Sequence, residues 1–143
     1  MKTSLPKESE IKRNWFIVDA AGKPLGRMAV KVANLLRGRT KATFTNHIDT
    51  GDFVIVINAK DVKLTGTKDD KKIYERYTGF RGGHKTTTVA AMRERHPDRM
   101  ITKAVEGMLP GNHMSRKVIK RLKVFAGAEH SHAAQNPKVI DIK

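Results

Sequence analysis

Residues 14–58 read NWFIVDAAGKPLGRMAVKVANLLRGRTKATFTNHIDTGDFVIVIN. The two ends of this stretch, 14–20 and 52–58, are short apolar runs rich in aromatic and β-branched residues, the composition of buried strands. Between them the apolar residues fall at Leu25, Met28, Ala29, Val32, Ala33 and Leu36. That spacing follows the 3.6-residue period of an amphipathic helix. Gly22-Lys23-Pro24 punctuates the chain before the helix and Gly38 supplies its C-terminal stop. Arg27, Lys31 and Asn34 share the polar side, so the helix can pack on a sheet and turn cations outward. Two buried strands joined by one helix make a β-α-β unit, which predicts parallel strands and a right-handed crossover.

Working outward, residues 1–13 are polar and read as an N-terminal arm. Short strands are expected at Val62–Leu64 and Lys72–Tyr77 around a turn at Gly66. Tyr77–Lys85 (YTGFRGGHK) holds three glycines and reads as irregular. Pro97 opens a helix with Met100, Ile101, Ala104, Val105 and Met108 on one side. A basic helix is expected over Met114–Leu122, with Met114, Val118 and Leu122 inward. Arg116, Lys120 and Lys123 would then line one flank and Lys117 and Arg121 the other. Leu122–Ala126 returns to the sheet. With no repeat, linker or low-complexity tract, the reading is one α/β domain over residues 1–143.

The chain of 143 residues carries 29 Lys and Arg against 14 Asp and Glu, a net charge of +15. The excess is concentrated. No acid interrupts the six cations between Asp19 and Asp49, the four between Glu75 and Glu94, or the five between Glu106 and Glu129. These fifteen equal the whole net charge, and the remaining chain is neutral. Acid-free basic segments keep a surface attractive to phosphate, which makes nucleic acid the first candidate partner. The longest apolar runs, Trp15–Val18 and Phe53–Ile57, fall far short of the ~20 residues of a spanning helix. The first fourteen residues hold no apolar block of a secretory signal. A soluble, cytoplasmic protein is expected. With no Cys, thiolate metal sites, disulfides and Cys nucleophiles are excluded.

Catalytic constellations are thin. Ser4, Ser9, Ser115 and Ser131 sit in no G-x-S-x-G elbow. Asp49 and Asp52 flank Thr50-Gly51, where carboxylates commonly satisfy turn backbone rather than hold a metal. His130 and His132 lack further ligands nearby, which favours a surface or RNA-facing role. Gly22-Lys23-Pro24-Leu25-Gly26 matches neither the dinucleotide nor the P-loop fingerprint. The 77–85 loop is more suggestive. Its glycines permit close approach to a sugar-phosphate chain, Arg81 and Lys85 bring charge, and Tyr77 and Phe80 are candidates to stack on unpaired bases. The competing reading is a plain hairpin loop with both rings tucked into the core.

Several ordered segments then resemble one family. They are Asp19-Ala20-Ala21-Gly22-Lys23-Pro24-Leu25-Gly26-Arg27, His47-Ile48-Asp49-Thr50-Gly51-Asp52, and Gly107-Met108-Leu109-Pro110. The basic helix, Leu122-Lys123-Val124-Phe125-Ala126-Gly127, Glu129-His130 and the ending Val139-Ile140-Asp141-Ile142 follow in order. The chain resembles the bacterial large-subunit ribosomal protein thirteen family over essentially its whole length. The resemblance implies a single three-layer α/β/α domain around a small, mainly parallel or mixed sheet. It implies binding to large-subunit (23S) ribosomal RNA beside neighbouring ribosomal proteins, a role early in subunit assembly, and no catalysis, cofactor, metal or small-molecule substrate.

The expected phosphate contacts are Arg27, Lys31, Arg37, Arg39, Lys41, Arg81, Lys85, Arg116, Lys117, Lys120, Arg121 and Lys123. Recognition should rest on shape and backbone, because A-form RNA hides its base edges in a narrow major groove. Two rivals remain open at this point, a nucleotide-dependent enzyme and a peripheral membrane-surface binder.

Overall fold

Strand β1 (Trp15–Asp19) and strand β2 (Phe53–Ile57) lie side by side and parallel, with Trp15 opposite Phe53 and Asp19 opposite Ile57. Helix α1 (Leu25–Arg37) joins them, and its buried residues are the periodic ones expected, with Leu35 added. The computed structural model describes residues 5–142, so residues 1–4 of the expected arm lie outside it. Gly38 ends α1 in the left-handed conformation at φ 75°, its N–H donating to the carbonyls of Asn34 and Leu35. A side chain at that φ would be strained, which is why glycine closes this helix.

After β2 come a short helical turn, α2 (Lys68–Lys71), and two strands, β3 (Ile73–Tyr77) and β4 (His84–Thr88), paired antiparallel. Three helices follow: α3 (Val89–Arg95), α4 (Pro97–Met108) and α5 (His113–Val118). Strands β5 (Leu122–Val124) and β6 (Lys138–Val139) complete a four-stranded parallel sheet in the order β5-β2-β1-β6. The expected α/β class with a mainly parallel sheet is the one found.

Alternation along the strands divides the sheet into two faces. Val18, Val54 and Val56 join Met28, Val32 and Leu36 of α1 and Met100, Ile101 and Val105 of α4 in one buried core. On the other face the rings of Trp15 and Phe53 stack 4.3 Å apart, and His132 lies 5.1 Å from Trp15. Phe125 meets both His130 and His132. The two histidines, expected in a surface or RNA-facing role, are therefore half-buried on an aromatic cluster and only partly open to the surface.

Other local expectations need correction. Val62–Leu64 forms no strand; Lys63 makes one isolated parallel bridge to Pro24. The basic helix is shorter than predicted, because α5 ends at Val118 and tightens into a 3-10 turn over Ile119–Arg121 before the chain enters β5. Lys123 is consequently a strand residue opposite Ile55, not part of a helix flank with Arg116 and Lys120. Met108 is exposed, although Met100, Ile101 and Val105 are buried as expected. Helix α3 is masked in the sequence by the neighbouring Thr86-Thr87-Thr88 run, whose last residue caps it by accepting from the Ala91 N–H at 3.4 Å.

Candidate nucleic-acid interface

The β3-β4 hairpin has no buried side chain. Arg76 pairs across with Lys85 and Tyr77 with His84. The stretch expected to be irregular over 77–85 therefore shrinks to the tip, 78–83. There Thr78 N–H donates to the Gly83 carbonyl at 3.1 Å and Gly83 N–H to the Phe80 carbonyl at 2.9 Å. The β-branched Thr86–Thr88 run supplies the second strand, which glycine content alone conceals. Tyr77 is 66% exposed and Phe80 77%. Neither ring is tucked into the core, and Arg81 and Lys85 are exposed beside them in sequence.

Helix α1 turns Arg27 and Lys31 outward, and Arg39 is exposed just past its cap. Arg37 is half-buried, its guanidinium 5.9 Å from the Phe44 ring. The structure then joins two separate basic segments. Arg37, Phe44 and Asn46 line a cleft of about 260 Å³ together with Asn112 and Ser115 of the α5 start. A neighbouring cleft of about 460 Å³ is lined by Arg13, His47, His113, Met114 and Lys117, with Asp49 shared between the two clefts. Arg116, Lys117 and Lys120 are all exposed. Arg13, His47 and His113 escape a reading of the sequence, since Arg13 sits in a segment of mixed charge and the histidines are neutral in a charge count.

Two expected phosphate contacts are held inside the fold. Arg121 makes a two-pronged ion pair with Asp49, donating to Oδ1 at 2.8 Å and also closely to Oδ2, and it reaches the Gly51 carbonyl at 3.2 Å. Its guanidinium lies 5.8 Å from the Phe53 ring, and its side chain is only 13% exposed. Lys41 donates to Asp52 at 2.6 Å and to the Thr50 and Lys12 carbonyls, each at 2.9 Å. Asp52, 1% exposed, also accepts from the Asn14 N–H at 2.8 Å. These two cations neutralise carboxylates that cross-tie the 38–52 loop, the arm and β5. Sequence windows free of acids could not reveal this, because the capturing acids, Asp52 for Lys41 and Asp49 for Arg121, lie outside the windows of the cations they hold.

The same cross-tie explains the backbone. Gly51 lies so close to the end of α1 that an added Cβ would stand 1.7 Å from the Leu36 carbonyl oxygen. Burial raises the Asp49 carboxyl, but the Arg121 hydrogen bonds and charge, with help from the Gly51 N–H and Arg13, bring it below its ordinary value. Asp19 is also lowered, first by the Ala21 N–H and then by the Asn58 amide. Among the described residues, no group of three or more His, Cys, Asp or Glu is placed to hold a metal ion. No helix among them is long and apolar enough to cross a membrane.

Comparison with known proteins adds identity to this geometry. The sequence model of a family described as Ribosomal protein L13 matches residues 13–131. The chain is 54% identical to the large ribosomal subunit protein uL13 of Dictyoglomus thermophilum, covering 99% of this chain and 100% of that one. It is 52% identical to the uL13 protein of Maridesulfovibrio salexigens over 99% of both chains. A 51% match to the protein of the same name from Psychromonas ingrahamii covers 99% of this chain and all of that one.

Proposed function

The chain belongs to the ribosomal protein L13 family, structural and non-enzymatic, and on that premise we propose that it binds large-subunit (23S) ribosomal RNA. In this reading it is a constituent of the large ribosomal subunit, sits in the cytoplasm beside neighbouring ribosomal proteins, and supports early subunit assembly. It acts as one domain with an N-terminal arm. The observation that supports RNA binding is the contrast between captured and free cations. Lys41 and Arg121 have carboxylate partners, whereas no ion pair joins Arg27, Lys31, Arg37, Arg39, Arg81, Lys85, Arg116, Lys117, Lys120 or Lys123 to a carboxylate among the described residues.

The free cations neutralise and bridge phosphates of adjoining RNA helices, which lowers the electrostatic cost of packing those helices together. Contacts go chiefly to the sugar-phosphate chain, so shape sets recognition. Tyr77 at the end of β3 and Phe80 at the hairpin tip stack on unpaired bases. The test is sucrose-gradient fractionation of lysate carrying either the normal chain or the variant R116Q/K117Q/K120Q. The normal chain is expected to co-migrate stoichiometrically with the large subunit at low salt, and the folded variant to incorporate poorly. Normal chain found only at the top of the gradient overturns the reading. A variant that incorporates fully removes α5 from the interface.

A further inference from the structure

A further basic site lies in a region where counting charge along the chain finds none. Residues 59–72 alternate Lys60, Lys63, Lys68, Lys71 and Lys72 with Asp61, Asp69 and Asp70. Folding sorts these charges. Lys63, Lys68 and Lys72 line, with Arg27, one cavity of about 510 Å³ between the start of α1 and the end of α4. Asp69 instead pairs with Arg93 at 2.7 Å. No carboxylate lines the cavity among the described residues.

The placement is built by backbone. Lys63 N–H donates to the Lys23 carbonyl at 3.0 Å and Leu25 N–H to the Lys63 carbonyl at 2.9 Å, which fixes Lys63 against the α1 start. Lys103 of α4 and Lys72 both approach the Tyr74 ring, at 5.7 and 5.2 Å from its centre, so a fifth cation stands beside the site. The remaining wall is apolar, formed by Leu64, Ala104 and the exposed Met108. No carboxylate among the described residues offsets the four cations of this lining, of which Lys68 donates to the Thr65 hydroxyl at 3.4 Å, so their mutual repulsion favours an anion. Cationic and apolar side chains lining the same cleft match a phosphate with a base attached.

We propose that this cavity receives one unpaired nucleotide of the ribosomal RNA chain, its phosphate on Arg27, Lys63, Lys68 and Lys72 and its base against Leu64 and Met108. The proposal rests on the RNA-binding reading above and extends it from Arg27, within the first acid-free segment, to Lys63, Lys68 and Lys72, which lie outside all three. Gly26 provides a clean probe. It is exposed, and an added Cβ there meets no atom within 4 Å. Gly26→Glu therefore brings a carboxylate to the cavity without a clash at Cβ, and an acid in the first turn suits a helix.

The experiment measures equilibrium binding of full-length chain to a transcript of the large-subunit ribosomal RNA across a salt series. Normal chain, Gly26→Glu and the triple variant K63Q/K68Q/K72Q are compared, with thermal unfolding recorded for each. Gly26→Glu is expected to bind at least about tenfold more weakly while melting no lower than the normal chain. The triple variant is expected to reduce the log-log salt slope by up to about 0.7, the share of the one single-strand phosphate left with Arg27 alone. Folded variants that match the normal affinity and slope overturn the cavity proposal and leave the RNA reading standing. A normal chain with no salt-dependent RNA binding overturns both. GTP serves as the free-nucleotide probe. Saturable GTP binding lost in Gly26→Glu, with RNA affinity unchanged, reassigns the cavity to a small ligand and overturns the proposal.

Discussion

The two sheets of this protein are opposites. In the four-stranded sheet, β1 and β2 carry Val18, Val54, Ile55 and Val56 with no measurable exposure, enclosed by helices on one face and aromatic rings near the other. In the β3-β4 hairpin not one side chain is buried, and Ile73, Tyr77 and Phe80 stand in solvent. The first sheet is stabilised by apolar burial within the chain itself. An isolated two-stranded ribbon is marginal in water, and this one meets the body through β4 on α3 and through the half-buried Tyr74 of β3, which packs against the core. The lesson is a division of labour. The parallel sheet holds the fold, while the hairpin presents exposed surface, which the proposed reading gives to RNA.

The largest effect that tests this division belongs at the junction of α1 and β2. Gly51→Ala must displace either its own loop or the Leu36 carbonyl, so it is expected to destabilise by about 4 kcal/mol or more in urea unfolding. An unchanged urea midpoint would break the claim that close backbone approach locks this side.

A smaller loss is expected from Asp49→Asn, which leaves Arg121 without its carboxylate. The pair is partly exposed, so about 2 kcal/mol is expected, below the ~3–5 of a fully buried pair. The pH dependence has a definite sign. Because folding lowers the Asp49 carboxyl, its contribution is full above the ordinary carboxylate range of about pH 4 and is lost as pH falls through the lowered folded value. The normal chain should therefore lose stability more steeply on acidification than Asp49→Asn, measured as urea midpoints from pH 6 to pH 2. Parallel curves would remove this ion pair from the stabilising set.

The smallest change in stability is expected at the hairpin. The double variant Y77A/F80A should unfold within about 0.5 kcal/mol of the normal chain, since both rings are already in solvent. On the proposed RNA contact, the same variant should lose about 1–3 kcal/mol of binding for each base that stacks. A large drop in stability would mean that the rings support the fold and would erase the contrast between the two sheets.

Much of the parallel sheet is legible in the sequence. The runs at 15–19 and 53–57, the α1 stripe and the Pro97 start each depend on residues close together in the chain. Helix α3 and the second hairpin strand are less legible, because Thr86–Thr88 suits a strand, a loop or a cap, and cross-strand pairing decides among them. Strand β6 has two residues, too few to carry a period. At the candidate interface, the acid-free windows point to α1, the hairpin and α5. They also sweep in Lys41 and Arg121, whose carboxylate partners lie outside their windows, 11 and 72 residues away. They pass over Lys63, Lys68 and Lys72, whose neighbouring acids in sequence are not neighbours in the cavity.

By itself, then, the sequence determined the class of fold, the surplus of cations and the family, because local periodicity, composition and ordered segments survive in a linear string. Only the tertiary structure decided which cations are neutralised, which converge and which aromatic rings stay wet. Electrostatic attraction and burial depend on distance through space, and folding sets that distance independently of separation along the chain.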